Sequence, residues 1–140
     1  NPNACGIIFG LNLTHKREDI YRSIIEGISY GANHIIETFI DTGFKPRQLF
    51  AVGGGVKNKI WINSVSNISG LNQEVKLNTI GAAYGNSFLS ALAIGEVQRS
   101  DIDLWNPKEE TIYSIPNKKY SEMYDLYKSI YNQTYNLMGW

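Results

Sequence analysis

The residues best placed to do chemistry are three consecutive glycines, Gly53-Gly54-Gly55, in the run AVGGGVKNKIW. Ahead of them Leu49-Phe50-Ala51-Val52 has the pattern of a buried strand. Behind them Lys57 to Gly70 places Ile60, Trp61, Val65 and Ile68 on one helical face, with Gly70 as the stop. A strand that ends in glycines and opens a helix exposes backbone N–H groups with no side chains in the way. Such amides point outward, carry partial positive charge and bind phosphate. Glycine also lets a flat base or a sugar approach the backbone closely. The residue-level alternative is a strand-to-helix turn that only needs positive φ, and spacing alone favours neither reading. Two familiar loops are excluded. Asn58 stands where the third glycine of G-x-G-x-x-G belongs, with no acidic residue about 20 positions on, and no Gly-Lys-Ser/Thr of a P-loop occurs. Lys57 reads as a solvated residue of a first helical turn.

The other reactive side chains carry less. His15 and His34 have no second His or Cys at metal-ligand spacing, so no metal site is expected. No serine sits in a nucleophile elbow, and Cys5 has no identifiable base beside it. Glu26 and Glu37 belong to the polar face of a helix, and no carboxylate is named as a general base. No catalytic residue is therefore assigned.

The elements that must position the glycines follow from apolar spacing. Gly6 to Leu11 (GIIFGL) is short and β-branched, which predicts a buried strand. Thr14 is placed to cap a long helix with Glu18 and Asp19 in its first turn. Ile20, Ile24, Ile28, Ile35 and Phe39 recur at helical spacing, widened by Ile25, Ile36 and Ile40. Gly31 on that helix permits close packing, and Asp41-Thr42-Gly43 with Pro46 ends it. Glu74 to Leu77 predicts a short strand with Val75 and Leu77 inward. Asn78 or Thr79 caps a small-residue helix over Ile80 to Ile94, expected to pack closely on a sheet and closed by Gly95. The order β-α-β-α-β-α implies an α/β layer protein. Beyond Asn117, a helix cap, Tyr120, Tyr124, Tyr127, Tyr131 and Tyr135 recur every three or four residues. They are read as the inner face of an amphipathic helix with hydroxyls reaching the rim.

Composition narrows the class. The 140 residues carry 13 basic and 13 acidic side chains, without the basic excess that drives nucleic-acid binding. An apolar content of 43% is enough for a core. The one cysteine cannot close an internal disulfide, which suits a reducing, cytoplasmic setting. No apolar run reaches bilayer-spanning length, and Asn1-Pro2-Asn3 is unlike a signal peptide, so no membrane role is expected.

Three separated patterns then resemble the FGGY family of carbohydrate kinases. In GIIFGLNLTHKREDIYRSIIEG, Gly6-x-Ile8-x-Gly10-Leu11 is followed after seven residues by Asp19-Ile20-x-x-Ser23-Ile24-Ile25-Glu26, similar to the family's C-terminal signature. Gly53-Gly54-Gly55-Val56-Lys57-Asn58 with Trp61 resembles its adenosine motif, and Ile80-Gly81-Ala82-Ala83-Tyr84 its LGAA helix. NPNACG is similar to the D-P-N-x-R-G segment that often precedes the first pattern, with Asn1 for the Asp and Cys5 for the Arg. The stretch from Tyr113-x-x-Pro116 to Tyr131 resembles the tail of xylulose kinase-like members.

The resemblance implies an actin-like, ribonuclease H-like α/β fold whose two lobes close over ATP and a sugar. Residues 1–140 would form the C-terminal, ATP-binding side of the second lobe, with the N-terminal sugar-binding lobe absent. Gly53, Gly54 and Gly55 would lie against the α-phosphate and the base, and Asn58 would hydrogen-bond on the adenine side. The family's aspartate base, its phosphate motifs and most sugar contacts would lie upstream. The parent would therefore use ATP and Mg²⁺ to phosphorylate a sugar hydroxyl, a pentulose such as xylulose being favoured, while this segment alone would be inactive. A non-catalytic actin-like nucleotide-binding or interaction module is the alternative, and a homo-oligomer is possible. An acetate-kinase-like or hexokinase-like member of the same superfamily is a second enzyme reading; it shares the fold but lacks the Asp19 to Glu26 pattern.

Overall fold

The computed structural model describes residues 5–138. Its helices and strands run α1 (Arg17–Asp41), β1 (Leu49–Ala51), α2 (Lys59–Ser69), β2 (Gln73–Lys76), α3 (Ala82–Ala93), α4 (Ile102–Trp105), β3 (Lys108–Ile112) and α5 (Lys118–Thr134), with 3-10 turns at Gly54–Lys57, Arg99–Asp101 and Tyr135–Met138. The three strands form one sheet in the order β1-β2-β3. β1 and β2 are parallel, with Phe50 opposite Glu74 and Ala51 opposite Val75, and α2 makes the crossover between them. β3 returns antiparallel along β2, with an irregularity at Val75/Lys76.

The core is small and lies between α2 and the sheet. Ile62, Val75 and Ile112 close it, with Ala51 and Val56 packed at its margin. A polar link crosses the same interface. The Gln73 side chain donates to the Ile62 carbonyl at 2.5 Å and to Ser66 Oγ at 2.9 Å. These bonds satisfy groups that burial would otherwise leave costly. Gly70 is left-handed at φ 70° and its N–H closes α2 on the Ser66 carbonyl, as its position after the apolar stripe predicts.

α1 begins two residues later than Thr14 suggests. Asn12 Oδ1 takes the Thr14 N–H at 2.9 Å and the Thr14 hydroxyl at 2.7 Å, so Thr14 belongs to the preceding turn. The helix is capped instead by Asp19, whose carboxylate accepts the Lys16 N–H at 2.9 Å. Its buried positions are Ile25, Ser29 and Tyr30, facing α2 and α5. The stripe Ile24, Ile28, Ile35, Phe39 lies mostly bare, Ile35 being 62% exposed. Gly31 does allow a close approach: a Cβ there would stand 3.4 Å from Tyr127 Oη.

Further sequence expectations need correction. Gly6 to Leu11 is not a strand, and Ile7, Ile8, Phe9 and Leu11 are exposed. No strand of the described sheet stands beside it, and an apolar run becomes a buried strand only when one does. Leu77 is exposed because β2 ends at Lys76. The small-residue helix α3 opens at Gly81, not at Asn78 or Thr79. It also leaves Ala82, Ala83 and Gly85 exposed instead of against the sheet. Its buried side chain, Phe88, meets the Trp105 ring at 5.7 Å, and Tyr84 Oη donates to the Trp105 carbonyl at 2.8 Å. Finally, β3 (KEETI) has no alternating pattern to announce it.

The tyrosine helix follows its spacing in part: Tyr124 is buried and Tyr120 and Tyr127 half-buried, but Tyr131 and Tyr135 are exposed. Asn117 Oδ1 caps α5 on the Lys119 N–H at 3.0 Å. Tyr124, Tyr127, Tyr131 and Tyr135 then form a ladder of rings about 6 Å apart, joined by Tyr30 and His34 of α1. The Tyr124 hydroxyl donates to Glu37 at 2.6 Å. Burial raises its pKa first, and the Glu37 bond and charge add to that.

Candidate nucleotide site at the strand ends

β1 and β2 run parallel, so their C-terminal ends open on the same edge of the sheet. In parallel α/β sheets ligands bind outside that edge. Two loop-to-helix junctions meet there. After β1 the chain passes through Gly53 into the 3-10 turn Gly54–Lys57 and then α2; after β2 it passes through Thr79 and Gly81 into α3. The Gly53 N–H donates to the Thr79 carbonyl at 2.6 Å, which ties the two junctions together. A Cβ on Gly81 would come within 4.0 Å of Val52, so the junctions are also in van der Waals contact. Thr79 is a residue that sequence reasoning used only as a possible cap.

The three glycines have three different jobs. Gly53 sits at φ 85°, ψ −176°, a region that essentially only glycine occupies, and its N–H is committed to Thr79. Gly54 has open space where a side chain would be. Gly55 lies under Trp61, whose ring carbon Cζ3 would be 2.8 Å from a Cβ. The bareness of Gly55 therefore serves packing. The first two amides of a 3-10 turn have no acceptor within it. Among the described residues, nothing else takes the N–H groups of Gly54 and Gly55. The loop thus presents two unpaired donors beside an unobstructed Gly54, the arrangement that receives an anionic oxygen.

Asn58 follows at the start of α2. Its Oδ1 accepts the Ile60 N–H at 3.1 Å and the Trp61 N–H at 3.2 Å, and its Nδ2 donates to Tyr21 Oη at 2.9 Å. The structure thus brings Gly53, Gly54, Gly55 and Asn58 into one turn, and it adds a cap that the sequence reading did not assign to Asn58. That cap was legible, since an Asn directly before an apolar helical face is a standard N-cap signal.

An apolar cleft of about 280 Å³ lies beside the turn, lined by Phe50, Val52, Val56, Trp61 and Ile28 among others. Its polar member, Gln73, is already bonded to Ile62 and Ser66. Gly55 of the turn, whose N–H is unpaired, also lines this cleft. The side chains set aside earlier are engaged. His15 Nδ1 accepts the Asn12 N–H at 3.0 Å. His34 packs edge-on against Tyr131 at 5.2 Å. Glu26 pairs with Arg22 at 2.7 Å. Asn1, Asn3 and the rest of the first four residues, part of the NPNACG pattern, lie outside the described residues.

Comparison with known proteins places the chain in a family. Residues 1–94 match the C-terminal domain of the FGGY family of carbohydrate kinases. The chain belongs to that family. It is 29% identical to the xylulose kinase of Bacillus subtilis over 142 aligned positions, covering 94% of this chain and 27% of that enzyme. It is 28% identical to the ribulokinase of Bacillus licheniformis, covering 94% of this chain and 26% of that protein. The chain therefore spans about a quarter of the length of the relatives it matches. The crystal structure of the xylulose kinase from Rhodospirillum rubrum superposes with a TM-score of 0.85 at 23% identity, over 99% of this chain and 29% of that one. The fold is the actin-like α/β fold of these kinases, as the FGGY resemblance implies.

Proposed function

We propose that the FGGY chain described here is the adenosine-binding side of an ATP-dependent sugar kinase. In this reading the Gly54 and Gly55 amides receive a phosphate oxygen of ATP, Gly53 holds the turn open, and Asn58 stands toward the base. The full-length protein transfers the terminal phosphoryl group of ATP to a sugar hydroxyl, with a pentulose such as xylulose favoured. The observation that carries this reading is the pair of unpaired amides at the strand-end crevice of a chain in a kinase family.

ATP fits the residues present. Two unpaired donors lie beside an open Gly54, at the edge where parallel sheets bind ligands. Mg²⁺ would neutralise phosphate charge, but no group of three His, Cys, Asp or Glu residues among those described is placed to hold a metal. No step is therefore assigned to it here. This chain's own work is to hold and orient the nucleotide, because phosphoryl transfer is catalysed largely by positioning and electrostatics. The base, the metal ligands and the sugar contacts are assigned to other parts of the protein, so this chain alone is inactive. No described helix is long and apolar enough to cross a membrane, and we place the kinase in the cytoplasm with ATP and a small sugar as its partners.

The test is amide spectroscopy of this chain on adding ATP. Shifts at Gly54, Gly55 and Asn58 are expected, and shifts that spare all three refute the nucleotide loop. A panel of xylulose, ribulose, glycerol and gluconate with the full-length protein, read by ADP release, identifies the sugar. A full-length protein that binds ATP and phosphorylates none of them favours the non-catalytic module.

A further inference from the structure

The Asn58 side chain has a fixed inventory: an oxygen that can accept two hydrogen bonds and an NH₂ that can donate two. Both acceptor positions are filled by the Ile60 and Trp61 amides at 3.1 and 3.2 Å. Those two backbone donors also settle which end of the amide is oxygen, which is otherwise a matter of assignment. One of the two Nδ2 hydrogens goes to Tyr21 Oη at 2.9 Å. A single N–H remains uncommitted.

We propose that Tyr21 is a positioning residue of the nucleotide site that acts through Asn58; this rests on the reading of Gly53–Asn58 as a nucleotide loop. Two bonds that converge on one oxygen fix where that oxygen lies, but not which way the NH₂ group faces. The bond to Tyr21 supplies the third point and fixes the amide plane. Tyr21 stands in the first two turns of α1, 37 residues before Asn58, so this bond also locks the glycine turn to the long helix. The remaining Asn58 N–H can then meet only an acceptor. It takes a ring nitrogen of the base or a ribose oxygen, and it does not take the exocyclic amine of adenine.

The experiment uses the full-length protein with the variants Y21F, N58A, N58D and Y21F/N58A. ATP affinity is measured by calorimetry, KM for ATP and kcat by ADP release, and folding by thermal unfolding. Y21F removes one hydroxyl from a half-exposed ring and leaves the fold intact. It is expected to weaken ATP binding about three- to tenfold, the scale of one net hydrogen bond, with KM rising more than kcat falls. In the N58A background Y21F should add less than a twofold further change, since a residue acting through Asn58 has nothing left to act on. N58D keeps the cap, because a carboxylate accepts both amides, and keeps the tie by accepting the Tyr21 hydroxyl. It should unfold like the unmodified protein yet bind ATP more weakly, having lost the donor.

Weaker ATP binding in N58A and N58D with none in Y21F overturns the role of Tyr21 and leaves the nucleotide loop standing. So do additive effects of Y21F and N58A, or a Y21F variant that loses thermal stability alone. ATP binding unchanged in both Asn58 variants overturns the inference together with the nucleotide reading beneath it.

Discussion

Alanine at each of the three glycines should separate backbone conformation, open approach and packing within three consecutive residues. At Gly55 the new Cβ meets Trp61 Cζ3 at 2.8 Å, Cε3 at 3.2 Å and Cη2 at 3.4 Å. These carbons belong to one rigid plane, so the ring must swing as a whole or the turn must open. Overpacking of this kind costs about 1–3 kcal/mol. In a domain of this size each kcal/mol lowers Tm by about 4 °C, so G55A should melt about 4–12 °C lower. At Gly53 the cost has a different origin. The backbone at φ 85°, ψ −176° is one that side-chain-bearing residues avoid, at about 1–3 kcal/mol, and the Thr79 bond is strained with it. At Gly54 nothing lies within 4 Å of the added methyl and φ is not positive. G54A should therefore fold as well as the unmodified chain or slightly better, while hindering approach to the free amides. Thermal unfolding by circular dichroism and ATP titration are read in parallel. The expected pattern is stability lost at Gly53 and Gly55 with nucleotide affinity lost at Gly54. A G54A that melts as low as G55A, or a G55A that melts like the unmodified chain, refutes the division.

Three further outcomes are expected. Q73L leaves Ser66 Oγ and the Ile62 carbonyl without their shared donor, so urea denaturation should show a loss of about 1–3 kcal/mol; an unchanged midpoint would deny the network its role. Burial raises the Tyr30 pKa to about 12, chiefly through desolvation, and Tyr124 and Tyr127 also titrate high. The folded chain then holds protons that the unfolded chain releases near pH 10, so stability is whole below pH 10 and falls as pH rises toward 12. The urea midpoint should drop between pH 9 and pH 11, less so in Y30F, which is also neutral or stabilising at pH 8 because the Tyr30 hydroxyl is buried without a partner. The bare face of Ile24, Ile28, Ile35 and Phe39, with Ile7 to Phe9, should make this chain bind a hydrophobic dye and elute larger as concentration rises; a dye-silent monomer contradicts that.

Local chemistry made much of the fold legible. Gly70, Asn117 and Gly43 each state their role through backbone freedom or a capping side chain, and each stands as read, while the tyrosine period marks an inner face only as far as Tyr127. The Gly53–Asn58 stretch was legible as a bare strand-to-helix turn, but its division of labour was not. Only the position of Trp61 above Gly55 tells a packing glycine from an open one. Elements that depend on distant partners were misread. GIIFGL has the composition of a strand, yet pairing decides whether it becomes one. The Ala-rich α3 has the surface for close packing, yet within the described chain Ala82, Ala83 and Gly85 stay exposed and Trp105 meets only its aromatic side chains Tyr84 and Phe88. β3 carries Lys108, Glu109 and Glu110 because an edge strand tolerates charge where alternation would otherwise mark it.

Trp61 covers the same glycine whose amide stands unpaired in the turn, and an indole's emission follows its surroundings. The loop therefore carries its own optical reporter. Any ligand that draws the Gly54 and Gly55 amides toward itself must slide the backbone under that ring. Occupancy can then be followed as a change in tryptophan fluorescence without a label. Two other tryptophans contribute background: Trp105, packed against Tyr84 and Phe88 of α3, and Trp140, which lies outside the described residues, so W105F and W140F leave Trp61 as the reporter.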